Sequence, residues 1–278
     1  NATERMLVRA AYARTYGRPN YANIIPDTSV TQDDDLGGTN ANPLGRISVS
    51  NIGLQPWTAD NYDLSLEYYT DSGGLLSGGL FLKQVRDFFG TQVKDATTVD
   101  LEALGLESRF LGWRMTTQIN TGSARIQGVE LNVRHSLAPL GPLGRHLIAF
   151  ANATRLQLEG DADADFTDFL PESVNWGLTF TRQRLTVITK WNYRGSQRGV
   201  AFPSLGPAAY RHPQPRLQLD VSADYRFSRR FSLFCNLRNA TNAMQEEHIY
   251  GPETPRHARE FLHARLGRVF TLGLKGSF

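Results

Sequence analysis

Ten stretches of this chain alternate apolar and polar side chains, near 5–16, 60–70, 75–87, 125–136, 146–158, 173–181, 184–194, 216–227, 230–239 and 267–278. A period of two puts successive side chains on opposite faces of a strand. In the last stretch, Phe270, Leu272, Leu274 and Phe278 share one face, and Thr271, Lys275 and Ser277 share the other. Each stretch is close to the roughly 9 to 11 residues that a tilted strand needs to cross a bilayer. The pattern therefore predicts an all-β fold. Two forms suit it: a water-soluble sandwich with apolar faces turned inward, and an antiparallel transmembrane β-barrel with apolar faces turned to lipid.

The connections favour the barrel. Long segments (17–59, 88–124, 159–172, 195–215, 240–266) alternate with shorter ones (70–74, 137–145, 181–184, 228–229). Outer-membrane barrels have short periplasmic turns and longer extracellular loops. Counting from this alternation puts Asn1 and Phe278 on the periplasmic side. An eleventh stretch, 113–120, would break the alternation as a spanning strand. It is expected above the membrane, in a hairpin with the strand after Thr121-Gly122-Ser123.

Charge placement agrees. Tyr62, Leu64, Leu66 and Tyr68 oppose Asp63, Ser65 and Glu67, while Leu217, Leu219, Val221, Ala223 and Tyr225 oppose Gln218, Asp220, Ser222 and Asp224. Leu185, Val187, Thr189, Trp191 and Tyr193 likewise oppose Thr186, Lys190, Asn192 and Arg194. Aromatic residues gather at strand ends, as membrane interfaces favour. Trp57, Tyr62, Phe88, Phe89, Trp191, Tyr193 and Phe270 fall at the long-loop end, and Tyr68, Tyr69, Tyr225, Phe227, Phe231 and Phe278 at the short-turn end.

Composition does not oppose this reading. Charged residues make up 21% of the 278 positions, a share that long polar loops and a wet lumen accommodate. No apolar run reaches the roughly 18 residues of a transmembrane helix. The net charge of +3 is scattered, which gives nucleic-acid binding no footprint. The single cysteine, Cys235, leaves no internal disulfide. The opening Asn-Ala-Thr-Glu-Arg shows no signal-peptide pattern and reads as an internal fragment or a processed C-terminal piece of a longer chain.

Several segments carry a family likeness: RTYGRPNY (14–21), NYDLSLEYY (61–69), GGLLSGGLFLKQVRDFF (73–89), ARIQGVELNVRHSL (124–137), FSLFCNLRNATN (231–242) and GRVFTLGLKGSF (267–278). In this order they resemble the C-terminal half of a TonB-dependent outer-membrane receptor. The resemblance implies a 22-stranded barrel holding an N-terminal plug, with this chain supplying about ten strands. Plug and N-terminal strands would lie upstream. It also implies uptake of a scarce extracellular ligand of the siderophore, vitamin or saccharide class, driven through TonB. Phe278 would be the signal read by the barrel-assembly machinery, and outer-membrane lipid and lipopolysaccharide would be the surroundings. A plugless passive or structural barrel and a soluble all-β binding domain are the alternatives.

No catalytic motif is present, so no enzyme and no cofactor are expected. Asp161, Asp163, Asp165 and Glu172 match positions 1, 3, 5 and 12 of a calcium loop. Phe166 replaces the glycine that such a loop needs for its turn, and a solvated acidic loop is the alternative. Thr254-Pro255 suggests a short helix over 255–265, with His257 and Glu260 on one face of a mixed-charge surface. Arg14, Arg18, Arg194, Arg198 and Arg211 sit at long-loop ends, where a focused positive field would attract an anionic ligand. Lipopolysaccharide phosphate or pairing with Asp33, Asp34 and Asp35 would also satisfy them. Phe202 and Tyr210 would equally stack on a sugar ring.

Overall fold

The computed structural model describes residues 3–32, 44–160, 169–200, 202 and 209–277. The chain begins with β1 (Met6–Gly17), α1 (Tyr21–Ile24), β2 (Thr28–Gln32), β3 (Gly45–Val49), β4 (Trp57–Tyr69), β5 (Leu75–Arg86) and β6 (Phe89–Asp95). It continues with α2 (Thr98–Leu104), β7 (Arg114–Asn120), β8 (Ala124–Ser136), β9 (Leu147–Gly160), β10 (Glu172–Arg182) and β11 (Leu185–Arg194). The last elements are β12 (Tyr210–Pro213), β13 (Arg216–Arg226), β14 (Phe231–Arg238), β15 (Gln245–Tyr250), β16 (Glu260–Ala264) and β17 (Val269–Gly276).

All ten alternating stretches are strands of one sheet, ordered β1-β4-β5-β8-β9-β10-β11-β13-β14-β17. Sheet order follows chain order, so each strand pairs antiparallel with those before and after it. β1 and β17 form the two edges, and the sheet is not closed. The remaining strands lie in smaller sheets, all inserted at the long-loop end.

Register turns the alternation into two chemically distinct surfaces, because opposed residues of an antiparallel pair share a face. One row runs Val8, Leu66, Gly78, Leu131, Ala153, Val174, Tyr193 and Leu217 across eight strands. The neighbouring row runs Leu7, Glu67, Ser77, Asn132, Asn152, Asn175, Asn192 and Gln218. A slip of one residue in any strand would exchange the two faces there. On the polar face Asn175 donates to Asn152 at 3.1 Å and Asn192 to Asp220 at 3.2 Å.

The apolar face is uncovered. Leu80 and Leu131 are each 54% exposed, and Leu274 is 68% exposed. A sandwich would bury these residues, and a patch of this extent in water is an aggregation surface. The larger buried cluster lies instead in the loops, where Ile47, Leu101, Trp113, Met115 and Ala96 pack together, and a smaller one of Ala59, Val85 and Ala124 lies on the polar side of the sheet. The sandwich reading therefore fails on where burial occurs.

Aromatic pairs mark both borders of the apolar face. Tyr12 and Tyr62 meet at 5.2 Å near the long-loop end, and Phe227 stacks on Phe231 at 6.2 Å at the other. Three residues expected in these belts turn elsewhere. Trp57 packs with Phe88 at 6.0 Å against Ala59, Val85 and Ala124, so this cluster lies on the polar side. Gly17 makes the room: a Cβ there would lie 2.2 Å from the Trp57 ring. Tyr69 also faces the polar side, where its hydroxyl donates to Glu67 at 2.6 Å.

The eleventh stretch, β7, lies outside the ten-stranded sheet, but its expected hairpin with β8 does not form. Both edges of β8 are taken by β5 and β9, leaving no free backbone groups for a third partner. β7 pairs antiparallel with β6 and parallel with β3, in a four-stranded sheet ordered β2-β3-β7-β6. α2 packs Leu101 into this sheet's core. Its N-terminus carries a capping box in which Thr97 and Asp100 satisfy each other's backbone amides. Gly105, at φ 65°, ends it. Asn120 adds bonds to the carbonyls of Gln55 and Asp87, at 2.8 and 2.7 Å, which bind two long loops into one cap.

The helix expected over 255–265 is also absent. Arg256–Ala258 forms a 3-10 turn and β16 follows. The reason is tertiary: β15 presents an edge, and β16 pairs with it from Gln245↔Ala264 to His248↔Glu260.

The two faces predict opposite responses to charge. Val221→Arg should destabilise the barrel in lipid vesicles by about 2–4 kcal/mol, and the adjacent Ser222→Arg by less than about 1 kcal/mol; urea titration monitored by heat-modifiable gel mobility reads both. The cap predicts a pH limit. Hydrogen bonds from Lys94 and then Thr97 hold the Asp100 carboxyl down at about 2, below its ordinary 3.8. A lowered folded-state value means this stabilisation is complete above the ordinary value and fades as pH falls through the lower one. Protection of α2 amides, corrected for intrinsic exchange, should hold at neutral pH and fall only in that acid window.

Candidate ligand-binding site

The strongest candidate lies at the long-loop end, where the polar face of the sheet meets a three-stranded sheet ordered β12-β15-β16. A cavity of about 540 Å³ is lined by Leu156, Leu158, Phe169, Gln197, Arg198 and His212, among others. Leu156 and Leu158 belong to the top of β9 and share the face of Asn152. The cavity therefore continues the polar face upward. Below it, a second recess of about 250 Å³ is lined by Ser173, Asn175, Asn192, Arg194, Arg216 and Gln218, with neighbours. Arg194 and Arg216 are cross-strand partners, so two cations stand side by side there.

Aromatic stacking positions the upper group. The Arg198 guanidinium lies 4.7 Å from the centre of the Tyr210 ring, and Arg259 lies 4.6 Å from that of Tyr250. Tyr210 and Tyr250 are register partners, as are His212 and His248. His212 stacks on Tyr250 with centroids 4.0 Å apart and planes 17° apart. Burial lowers the His212 pKa, and electrostatic interaction with Arg198, His248 and Arg259 lowers it further. The imidazole is thus held neutral near pH 7, a stacking and hydrogen-bonding wall beside the fixed charge of Arg198.

The opposite face of β12 does structural work. Arg211 forks onto Glu247, with nitrogens 2.9 and 3.0 Å from the two carboxylate oxygens. The Glu247 side chain is only 4% exposed, so it needs that partner. Gln245 donates a further bond at 2.9 Å.

The arginines grouped by sequence therefore separate. Arg198 lines the upper cavity and Arg194 the lower recess, where its guanidinium also donates to Gln197. Arg211 is committed to Glu247. Arg14 and Arg18 lie at the far edge of the sheet: Arg14 approaches Asp60 at 3.9 Å and Arg18 stands over Tyr16 at 5.9 Å. Phe202 packs on Phe261 at 6.1 Å and Tyr210 lies under Arg198. Asp33, Asp34, Asp35, Asp161, Asp163, Asp165 and Phe278 fall outside the described residues. Glu172, the last member of the calcium spacing, accepts a hydrogen bond from the Tyr193 hydroxyl at 3.0 Å. Among the described residues no three His, Cys, Asp or Glu side chains gather as a metal site.

Sequence reading missed His212, Tyr250 and Arg259 because they lie in what reads as loop. The sequence of Gln245–Tyr250 offers no alternation to mark the strand, since its first four residues are polar and its last two are Ile249 and Tyr250.

An antiparallel sheet with one uncovered apolar face, one polar face and elaborate loops at one end is the wall of an outer-membrane β-barrel. The chain belongs to the TonB-dependent receptor family: the model described as "TonB dependent receptor-like, beta-barrel" matches residues 1–240. Among solved structures, the ferric enterobactin receptor of Pseudomonas aeruginosa in complex with enterobactin is similar over 100% of this chain and 39% of its own, at TM-score 0.71 and 17% identity. The siderophore receptor PirA of Acinetobacter baumannii is similar over 100% and 40%, at TM-score 0.68 and 16% identity. The copper transporter OprC matches over 99% and 38%, at TM-score 0.66 and 16% identity. This chain thus spans about two-fifths of their length, and at such identities the likeness is one of fold. No curated protein matches the chain in sequence.

Arg211→Ala should destabilise the β12-β15-β16 sheet by about 1–3 kcal/mol, less than for a fully enclosed pair because Arg211 is half exposed. Arg211→Ala combined with Glu247→Gln should recover most of that loss, as read by local hydrogen exchange. Acid should loosen the same sheet. The His212 pKa is lowered, so its contribution is complete above the ordinary 6.5 and lost as pH falls through the depressed value. Exchange of β12 and β15 amides should speed up below pH 6.5 in the wild type and not in His212→Gln.

Proposed function

We propose that this chain is the C-terminal part of the barrel of an outer-membrane receptor that captures a scarce extracellular ligand for TonB-dependent active uptake. The observation that carries this reading is the vertical pair of recesses: Arg198 and His212 above, Arg194 and Arg216 below, both on the polar face at the elaborate end. A ligand held first by Arg198 finds a second pair of cations one step inward. Aromatic and aliphatic walls beside fixed cations suit an anionic ligand with ring character. Among the siderophore, vitamin and saccharide classes, this chemistry favours the siderophore class, and an acidic saccharide follows.

In this reading the loops face the cell exterior and Asn1 and Phe278 lie at the periplasmic side. Plug, TonB-contacting segment and remaining strands belong to other parts of the same polypeptide. The terminal strand, ending in Phe278, would be handed to the barrel-assembly machinery. Lipid and lipopolysaccharide would cover the apolar face. Binding and transport require no bond-making, so no enzymatic role is assigned.

Uptake assays on cells carrying the complete receptor test the reading, with labelled ferric siderophores, a cobalamin and an acidic oligosaccharide as probes. Uptake of one probe should saturate and collapse on discharge of the inner-membrane potential. Arg198→Ala should weaken binding of that probe roughly tenfold, the share of one charge-assisted contact. Non-saturable flux indifferent to the potential would identify a passive pore instead.

A further inference from the structure

Four short turns close the sheet at the end opposite the recesses, and one differs from the rest. Three carry polar tips: Asp71 with Ser72, Gln183, and Ser228 with Arg229. The fourth, 137–146 between β8 and β9, reads Leu-Ala-Pro-Leu-Gly-Pro-Leu-Gly-Arg-His. Leu140 in it is 77% exposed, more than any other large apolar side chain among the described residues, and Leu143 is 68% exposed. Scattered single leucines on a surface need no explanation. Two on one turn, each next to a proline, need one if the turn is rigid.

The backbone fixes it. Two 3-10 turns, Ala138–Leu140 and Gly144–His146, pack against each other. The Leu140 amide donates to the Leu137 carbonyl at 2.9 Å, and the His146 amide to the Leu143 carbonyl at 3.1 Å. Gly144 lies so close to the Leu137 carbonyl that no Cβ would fit between them. The Leu137 amide donates to the Leu147 carbonyl at 2.9 Å and closes the base of the turn. Both leucines are thus held on display by a network of backbone bonds.

The surroundings narrow what can cover them. β8 and β9 lie inside the sheet, between β5 and β10, so polar turns of this same chain flank the apolar one on both sides. The 70–74 turn stands on one side, with Ser72 Oγ 3.1 Å from His135 Nε2 at the foot of β8. On the other side the His146 ring meets Phe180 edge-on, with centroids 6.1 Å apart, and its Nδ1 lies 3.1 Å from the Thr181 carbonyl oxygen. Phe180 is the register partner of Leu147 and shares the face of Val174, Trp176 and Leu178, which is the apolar one. The His146 contact therefore draws the turn toward the apolar side of the wall, away from the polar interior.

We propose that the 137–146 turn is a membrane anchor, in which Leu140 and Leu143 insert among the phospholipids of the leaflet at the short-turn end, at the boundary between headgroups and acyl chains. Leucine side chains partition into that boundary, and the turn continues the apolar face of the wall. It is also the foot of β9, whose upper end brings Leu156 and Leu158 to the upper recess. The anchor thereby sets the height of a strand that shapes the recess. It requires the membrane wall, and neither a particular ligand nor a particular orientation across the bilayer.

The test is spin labelling of the complete receptor, in a Cys235→Ser background, reconstituted in vesicles of phosphatidylcholine and phosphatidylglycerol. Nitroxides placed through Leu143→Cys, through Leu131→Cys on the apolar face and through Asp71→Cys on a polar turn are compared. Each is scored for collision with oxygen, which concentrates in lipid, and with a water-soluble nickel chelate. The oxygen-to-nickel ratio at the Leu143 position should exceed that at the Asp71 position roughly fivefold or more and approach that at the Leu131 position. Leu140→Ser, and more strongly Leu140→Asp, should lower the ratio at the Leu143 position while leaving heat-modifiable mobility intact. Equal ratios at the Leu143 and Asp71 positions, or no response to either Leu140 variant, would overturn the anchor. Shielding of the Leu143 position in native outer-membrane fragments, combined with water exposure in the lipid vesicles, would also overturn it and assign the leucines to a protein partner. A ratio at the Leu131 position as low as that at the Asp71 position would instead refute the membrane wall itself.

Discussion

The structure depends on a requirement of hydrocarbon: every backbone amide and carbonyl crossing it must be hydrogen-bonded inside the protein. The ten-stranded meander meets this by pairing each strand with its chain neighbours, from β1 through to β17. Fixing backbone pairs also fixes register, and register aligns Leu66, Leu131 and Val174 on one surface and Ser77, Asn132 and Asn175 on the other. Lipid on one side and a polar interior on the other are consequences of the same ladder. The short-turn end has little freedom under this constraint, and the other end holds the inserted strands and recesses.

Those insertions follow the rules of soluble proteins. The cap built from β2, β3, β6, β7 and α2 buries Ile47, Leu101 and Trp113 in a small core of its own. The β12-β15-β16 sheet buries a charge instead, with Arg211 and Glu247 locked together beneath a cationic and aromatic surface. The Arg211–Glu247 pair ties β12 to β15, and the other face of the same two strands carries Tyr210, His212 and Tyr250.

The membrane sheet was legible because a lipid-facing strand alternates along much of its length, as β4, β11 and β13 do. Partners outside the membrane were not. The strand at 113–120 was visible as a strand, but its pairing depended on which edges were already occupied, and β8 had none to offer. Trp57 and Phe88 show a related limit: an aromatic at a strand end looks the same in sequence whether it meets lipid or packs over Gly17. Pro255 after Thr254 resembles a helix start, yet the nearby edge of β15 drew Glu260–Ala264 into a strand. At the site, Arg198 and Arg211 were equivalent in sequence. Glu247, distant in the chain, distinguishes them by engaging one and leaving the other over Tyr210.

The parallel pairing of β3 with β7 bears on assembly. β4 and β5 lie between them in the chain, and this hairpin traverses the bilayer and returns. Arg46 and Arg114 can become register partners only when both strands emerge on the same side, so their pairing follows completion of the hairpin. Such non-local contacts form late, after the intervening chain is ordered. The four-stranded sheet thus joins chain segments on either side of a hairpin and holds both ends of β4-β5 at one height.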